Sequence, residues 1–121
     1  MPDGPGDAIV LCADPSPERL SELTQGLRRE GFSVLSAHSA SQCLAIAAAH
    51  RPKAVILDVD LLYLDYENLA EYINYTSPAT VVVVTVDDLP FWQNRPPFVQ
   101  AVGKRGNVAA ILSLLHRISS P

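Results

Sequence analysis

Apolar residues run without interruption through positions 8–13 and 54–57, and positions 80–84 end in four consecutive valines. Runs this short and this uniformly apolar are the pattern of strands covered on both faces. Between them the spacing changes to the helical period. Leu20, Leu23 and Leu27 recur at i, i+3 and i+7, with Asp14 or Ser16 placed to cap, Pro17 suited to the first turn and Gly31 placed to end the helix. Residues 33–37 predict a short second strand. Ser39 and Gln42 form an S-x-x-Q capping-box pattern ahead of an alanine-rich helix over 43–49 that stops before Pro52. A third helix is predicted over 65–75, with Leu69, Tyr72 and Ile73 on one face. Residues 98–102 predict a fifth strand, and Asn107 caps a last helix with Val108, Ile111, Leu112, Leu115 and Ile118 at helical spacing. The alternation breaks once: residues 88–97 hold Pro90, Pro96 and Pro97, and an internal proline costs about 3 kcal/mol in a helix, so no regular helix of three turns is expected there. Strands alternating with helices predict a parallel sheet with helices on both faces, and in such sheets the functional site lies at the carboxyl ends of the strands.

The 121 residues fit one domain, and 48% hydrophobic against 18% charged residues excludes disorder as the default state. Nine Lys and Arg against thirteen Asp and Glu give a net charge of −4, which argues against a nucleic-acid surface. Cys12 and Cys43 are too few for a disulfide framework or a cysteine zinc site, and both sit in apolar surroundings as expected of buried reduced thiols. No apolar stretch approaches the roughly 20 residues of a membrane span, and no targeting segment is evident, so a cytoplasmic protein without membrane contact is expected. The expected organisation is a Pro/Gly/Asp-rich leader over 1–7, one domain over 8–118 and a short tail over 119–121. His38, His50 and His116 are scattered and are read as surface or helix-end residues, and Trp92 as cover for the core.

Four polar residues directly follow the apolar runs: Asp14, Asp58, Thr85 and Lys104. Two carboxylates side by side repel unless a cation lies between them, so the cluster points to Mg²⁺. A carboxylate flanked by Mg²⁺ and an ammonium group is equipped to attack a phosphoryl group. Over residues 8–118 this arrangement resembles the receiver domain of bacterial two-component response regulators, with the run Arg51-Pro52-Lys53-Ala54-Val55-Ile56-Leu57-Asp58-Val59-Asp60 similar to the family's approach to its phosphoacceptor. The resemblance implies a five-stranded doubly wound α/β sheet, flavodoxin-like, in order 2-1-3-4-5, and the prolines of 88–97 leave its helix 4 degraded. It implies Asp58 as phosphoacceptor, and Asp14, Asp58 and the backbone carbonyl of Asp60 as ligands of a weakly held or absent Mg²⁺. Thr85 and Lys104 become the phosphate and switch residues, and Asp65 opens helix 3. The implied partners are a sensor histidine kinase or phosphotransfer protein and a downstream effector protein, with no nucleic acid bound by this domain. Such a domain is at most a self-phosphorylating acceptor rather than an enzyme.

The departures from the family pattern support a second expectation. Ala13 stands where one metal-site acid is usual, Leu62 and Tyr66 where Pro and Gly are usual, and Val86 where a small residue follows the threonine. Arg105 replaces a proline, and Ala101 an aromatic residue. These favour a pseudo-receiver, a phosphorylation-independent interaction module of the same fold. The Asp58-Val59-Asp60 triplet also reads as the D-x-D of haloacid-dehalogenase-type phosphatases, but Leu62 departs from that motif and the chain has no room for a cap domain. The absence of a Gly-rich phosphate loop argues against a nucleotide enzyme.

Overall fold

The computed structural model describes residues 9–64 and 67–119. β1 (Ile9–Ala13) leads to α1 (Pro17–Arg29), β2 (Ser33–Ala37), α2 (Ala40–His50) and β3 (Ala54–Asp58). A 3₁₀ turn at Val59–Leu61 and a two-stranded antiparallel ribbon, β4 (Tyr63–Leu64) and β5 (Glu67–Asn68), precede α3 (Leu69–Thr76). β6 (Val81–Val86), a second 3₁₀ turn at Leu89–Trp92, β7 (Ala101–Lys104) and α4 (Val108–Ser119) complete the chain. The five long strands pair in parallel in the order β2-β1-β3-β6-β7. Without the inserted ribbon this is the expected 2-1-3-4-5 arrangement.

Strand alternation divides the core into two layers. Leu11, Ala13, Val55, Leu57, Val82, Val84 and Val86 pack with α2 and α3 on one face. Val10, Cys12, Ala54, Ile56 and Val83 pack with α1 and α4 on the other. The helix ends follow local chemistry. Ser16 Oγ accepts from Arg19 N, and Gly31, at φ 95°, closes α1 with bonds from Gly31 N to Arg28 O and from Phe32 N to Leu27 O. Ser39 Oγ caps Gln42 N, while Gln42 Oε1 accepts from His38 N rather than from the cap residue itself. Among the described residues no helix is long and apolar enough to cross a membrane.

Three expectations change. The third helix starts at Leu69, capped by Asn68 Oδ1, and Tyr72 is exposed: Leu69, Ala70 and Ile73 form the buried stripe. The last strand begins at Ala101, because Phe98 adopts a left-handed φ of 70°, which a strand excludes. Gln100 extends the pairing through bonds between its backbone N and Val82 O and between Val82 N and its side-chain Oε1. The last helix runs on to Ser119, one residue into the expected tail. The segment between β6 and β7 carries one short 3₁₀ turn and no α-helix, consistent with its prolines, and Trp92 packs on the α2/α3 layer. The expected leader over 1–7, together with Asp65 and Tyr66, lies outside the described residues.

α1 and α4 meet closely at Gly26, where an added Cβ would lie 2.6 Å from Val108 Cγ1. A β-branched side chain has little rotamer freedom with which to yield. Overpacking costs about 1–3 kcal/mol and alanine's helix propensity returns about 1 kcal/mol. Gly26→Ala is therefore expected to lower stability by about 1 kcal/mol in urea denaturation. In a Val108→Ala background the same change is expected to stabilise.

Burial pushes the Cys12 and Cys43 thiols up from an ordinary 9.0 to about 12, with Arg28 opposing the shift at Cys12. The unfolded chain ionises these thiols first. Their contribution is thus intact below pH 9 and drains away as pH rises toward 12. Urea midpoints measured across that window are expected to fall more steeply for the native chain than for Cys12→Ala/Cys43→Ala.

Candidate functional site

Register carries three polar side chains to one corner of the sheet. Asp14 continues the alternation of Val10 and Cys12, Asp58 that of Ala54 and Ile56, and Thr85 that of Val83, so all three belong to the α1/α4 face. Asp58 and Thr85 are direct register partners, and Thr85 Oγ1 donates to Asp58 Oδ1 at 3.3 Å. All three are buried, with Asp58 1% exposed.

Lys104 does not join them. It pairs with Val86, so its side chain shares the parity of the opposite face; it is exposed and makes no ion pair among the described residues. Thr85 pairs with Gly103, and the next residue of that parity is Arg105. The cation beside Asp58 is therefore Arg105, one position beyond the expected lysine. Its Nε donates to Asp58 Oδ1 at 2.8 Å and its Nη2 to Asp58 Oδ2 at 2.8 Å. Its Nη1 donates to Asp87 at 2.9 Å, and Nη2 lies 3.2 Å from Asp60. The backbone places it through a bond from Arg105 N to Val86 O, followed by a turn at Gly106, φ 82°.

A second guanidinium comes from the first turn of α1. Arg19 Nε and Nη2 hold Asp14 at 3.0 and 2.9 Å, and Nη2 lies 3.8 Å from Asp58. Asp14 also accepts from Ser16 N at 2.8 Å, which bends the chain into α1. Bonding to Asp58 and to Asp14 raises the pKa of Arg105 and of Arg19 respectively above the usual arginine range, so both stay charged.

The four lone-pair positions of the Asp58 carboxylate are all taken. Oδ1 accepts from Thr85 and Arg105; Oδ2 accepts from Arg105 and from the backbone N of Asp60. Asp60 faces the cluster through its N–H and its half-exposed carboxylate. Ala13 packs into the α2/α3 layer.

Comparison with known proteins bears on the fold. No family model matches the sequence. The chain is 20% identical to a CheY-like response regulator receiver domain from Methanospirillum hungatei, covering 91% of each chain with a TM-score of 0.76. This is the receiver-domain fold. A chain of the CheX–CheY–BeF3–Mg²⁺ complex from Borrelia burgdorferi superposes with a TM-score of 0.79 at 17% identity, covering 94% of this chain and 90% of that one. In sequence, the transcriptional regulatory protein PrrA of Mycobacterium tuberculosis is 35% identical over 65 residues. That stretch is 54% of this chain and 28% of PrrA, so the match covers less than a third of that relative.

Mg²⁺, which is present in the Borrelia complex, does not fit the residues at this corner of the present chain. It requires free oxygen donors in near-octahedral array. Here Asp58 is saturated, Asp14 is clamped by Arg19, and position 13 offers no side-chain oxygen. Among the described residues no group of three acidic, histidine or cysteine side chains is disposed to hold a metal.

Sequence reasoning missed Arg19 and Arg105 as site residues. Asp14 and Arg19 stand five apart across the start of a helix, and an acidic corner lacking one of its expected acids is a signal that its cations differ too.

Removing one partner of a buried ion pair strands the other charge, at a cost of about 3–5 kcal/mol when fully buried. Arg105 retains some solvent contact, so Arg105→Ala is expected to cost about 2–3 kcal/mol in chemical denaturation. Lys104→Ala should stay within about 0.5 kcal/mol of the native chain. Asp58→Ala/Arg105→Ala is expected to lose less than Arg105→Ala alone, because no buried charge is left unpaired.

Proposed function

We propose that this chain is a receiver-type signalling module that works through protein contacts, its acceptor carboxylate held in an internal ion pair rather than cycling through phosphorylation. The observation that carries this reading is the saturation of Asp58 by four donors, two of them from one guanidinium. A carboxylate attacks phosphorus through a free lone pair, and here each oxygen already accepts two hydrogen bonds. Freeing Asp58 means breaking a bidentate pair in a buried corner while Asp60 and Asp87 continue to hold Arg105. The likeness to PrrA, a transcriptional regulatory protein, supports a regulatory role. On this reading the chain catalyses no reaction.

The competing reading has Asp58 accept a phosphoryl group from a histidine kinase or phosphotransfer protein, with Mg²⁺ at Asp14, Asp58 and the Asp60 carbonyl and with Thr85 and Lys104 answering the phosphoryl group. Its support is the fold shared with the Borrelia complex. It requires Arg105 to leave Asp58 first, and Lys104 to reach across from the opposite face of the sheet.

Incubation with acetyl phosphate and Mg²⁺, followed by intact-mass measurement, separates the two. The expected outcome is no phosphoryl adduct on the native chain. An adduct that forms readily and is abolished by Asp58→Asn would establish the competing reading.

A further inference from the structure

Away from the acidic corner, the outer side of α3 carries a second arrangement. Tyr72 and Tyr75 lie three residues apart on the helix, 44% and 84% exposed. Together with Glu67, Asn68 and Glu71 they line an open groove between β5 and the helix. No lysine or arginine is among these lining residues. Neither glutamate has an ion-pair partner among the described residues. The groove is anchored at one end, where Asn68 Nδ2 donates to Pro97 O at 3.0 Å while its Oδ1 caps α3.

We propose that this groove is a docking site for a partner protein's extended segment bearing arginine or lysine. Charge complementarity selects the occupant. Two unpaired carboxylates attract cations, and two exposed phenol rings offer faces over which a guanidinium or ammonium group is held by the ring quadrupole. A partner segment with acidic side chains would face like charge, and a purely aliphatic one would leave the carboxylates without counter-charge. The site does not involve Asp58, so it is independent of the chemistry assigned to the acidic corner and of whether that corner ever accepts phosphoryl.

The test is an NMR titration of the full chain with the peptide acetyl-Gly-Arg-Pro-Arg-Gly-amide, and in parallel with the same peptide carrying Glu in place of both Arg. Saturable shifts confined to the amides of residues 67–76, seen with the arginine peptide and not with the glutamate peptide, are expected. Tyr75→Ala removes a ring that is mostly in solvent, so the fold is kept. A cation–π contact at an exposed site is worth a factor of roughly two to five in affinity, and the variant is expected to weaken binding by that amount. Glu67→Gln/Glu71→Gln should weaken it further and flatten its dependence on salt. Absence of saturable shifts, equal response to the two peptides, or affinity unchanged in both variants would overturn the proposal. So would concentration-dependent shifts of the same amides without peptide, since the occupant would then be a second copy of the chain.

Discussion

The bidentate pair between Arg105 and Asp58 is the interaction on which the functional corner depends. Asp58 ends the central strand β3, 1% exposed, where a carboxylate without partners is costly to bury. Arg105 follows the edge strand β7 and supplies two charge-assisted bonds to it while also holding Asp87, just beyond β6, and Asp60, in the turn after β3. One planar guanidinium thus ties three strand ends together, which a lysine ammonium with its single point of charge is less suited to do. Arg19 does the same for β1 and α1 through Asp14 and approaches Asp58 from the other side. The loops at this end of the sheet are cross-linked by charge.

This arrangement bears on what the corner can do chemically. A site built for phosphoryl transfer keeps its nucleophile accessible and brings positive charge to the oxygens of the incoming group. Here the positive charge is supplied from within and directed at the nucleophile itself. The same donors that would have to stabilise a transferring phosphoryl group are already engaged with Asp58, and the second carboxylate is engaged with Arg19. The corner therefore has the geometry of a structural clamp, and exposed aromatic side chains lie away from it. The segment between β6 and β7 lacks an α-helix and shows Phe91 and Phe98 to solvent, while α3 shows Tyr72 and Tyr75 beside glutamates.

Much of the architecture was legible from residue order alone. The unbroken apolar runs of β1, β3 and β6, short and bounded by turn residues, fit doubly covered parallel strands, and the leucine spacing of α1 and the apolar stripe of α4 set their buried faces before any tertiary contact is considered. Asp14, Asp58 and Thr85 were legible as neighbours because each continues a run whose direction and sheet end are set by the parallel topology. The prolines of 88–97 likewise settled by themselves that no long helix forms there, since they remove backbone donors whatever the surroundings. Tyr72 was misread because three apolar residues at 69, 72 and 73 do not say which pair faces inward; packing against α2 chose Leu69 and Ile73.

The choice between Lys104 and Arg105 belonged to the tertiary structure. In β7, Ala101, Val102 and Gly103 show no polar alternation, so nothing in the sequence tells which parity faces the acidic corner. The start of β7 was equally hidden, because the left-handed turn at Phe98 is not written in its side chain. Only the pairing of Thr85 with Gly103 and of Val86 with Lys104 fixes the register, and a one-residue step in register exchanges one face of the sheet for the other. The sequence by itself determined that a cation follows the last strand at the acidic end of the sheet. Hydrogen bonding between β6 and β7 decided that this cation is a guanidinium, placed to close the site.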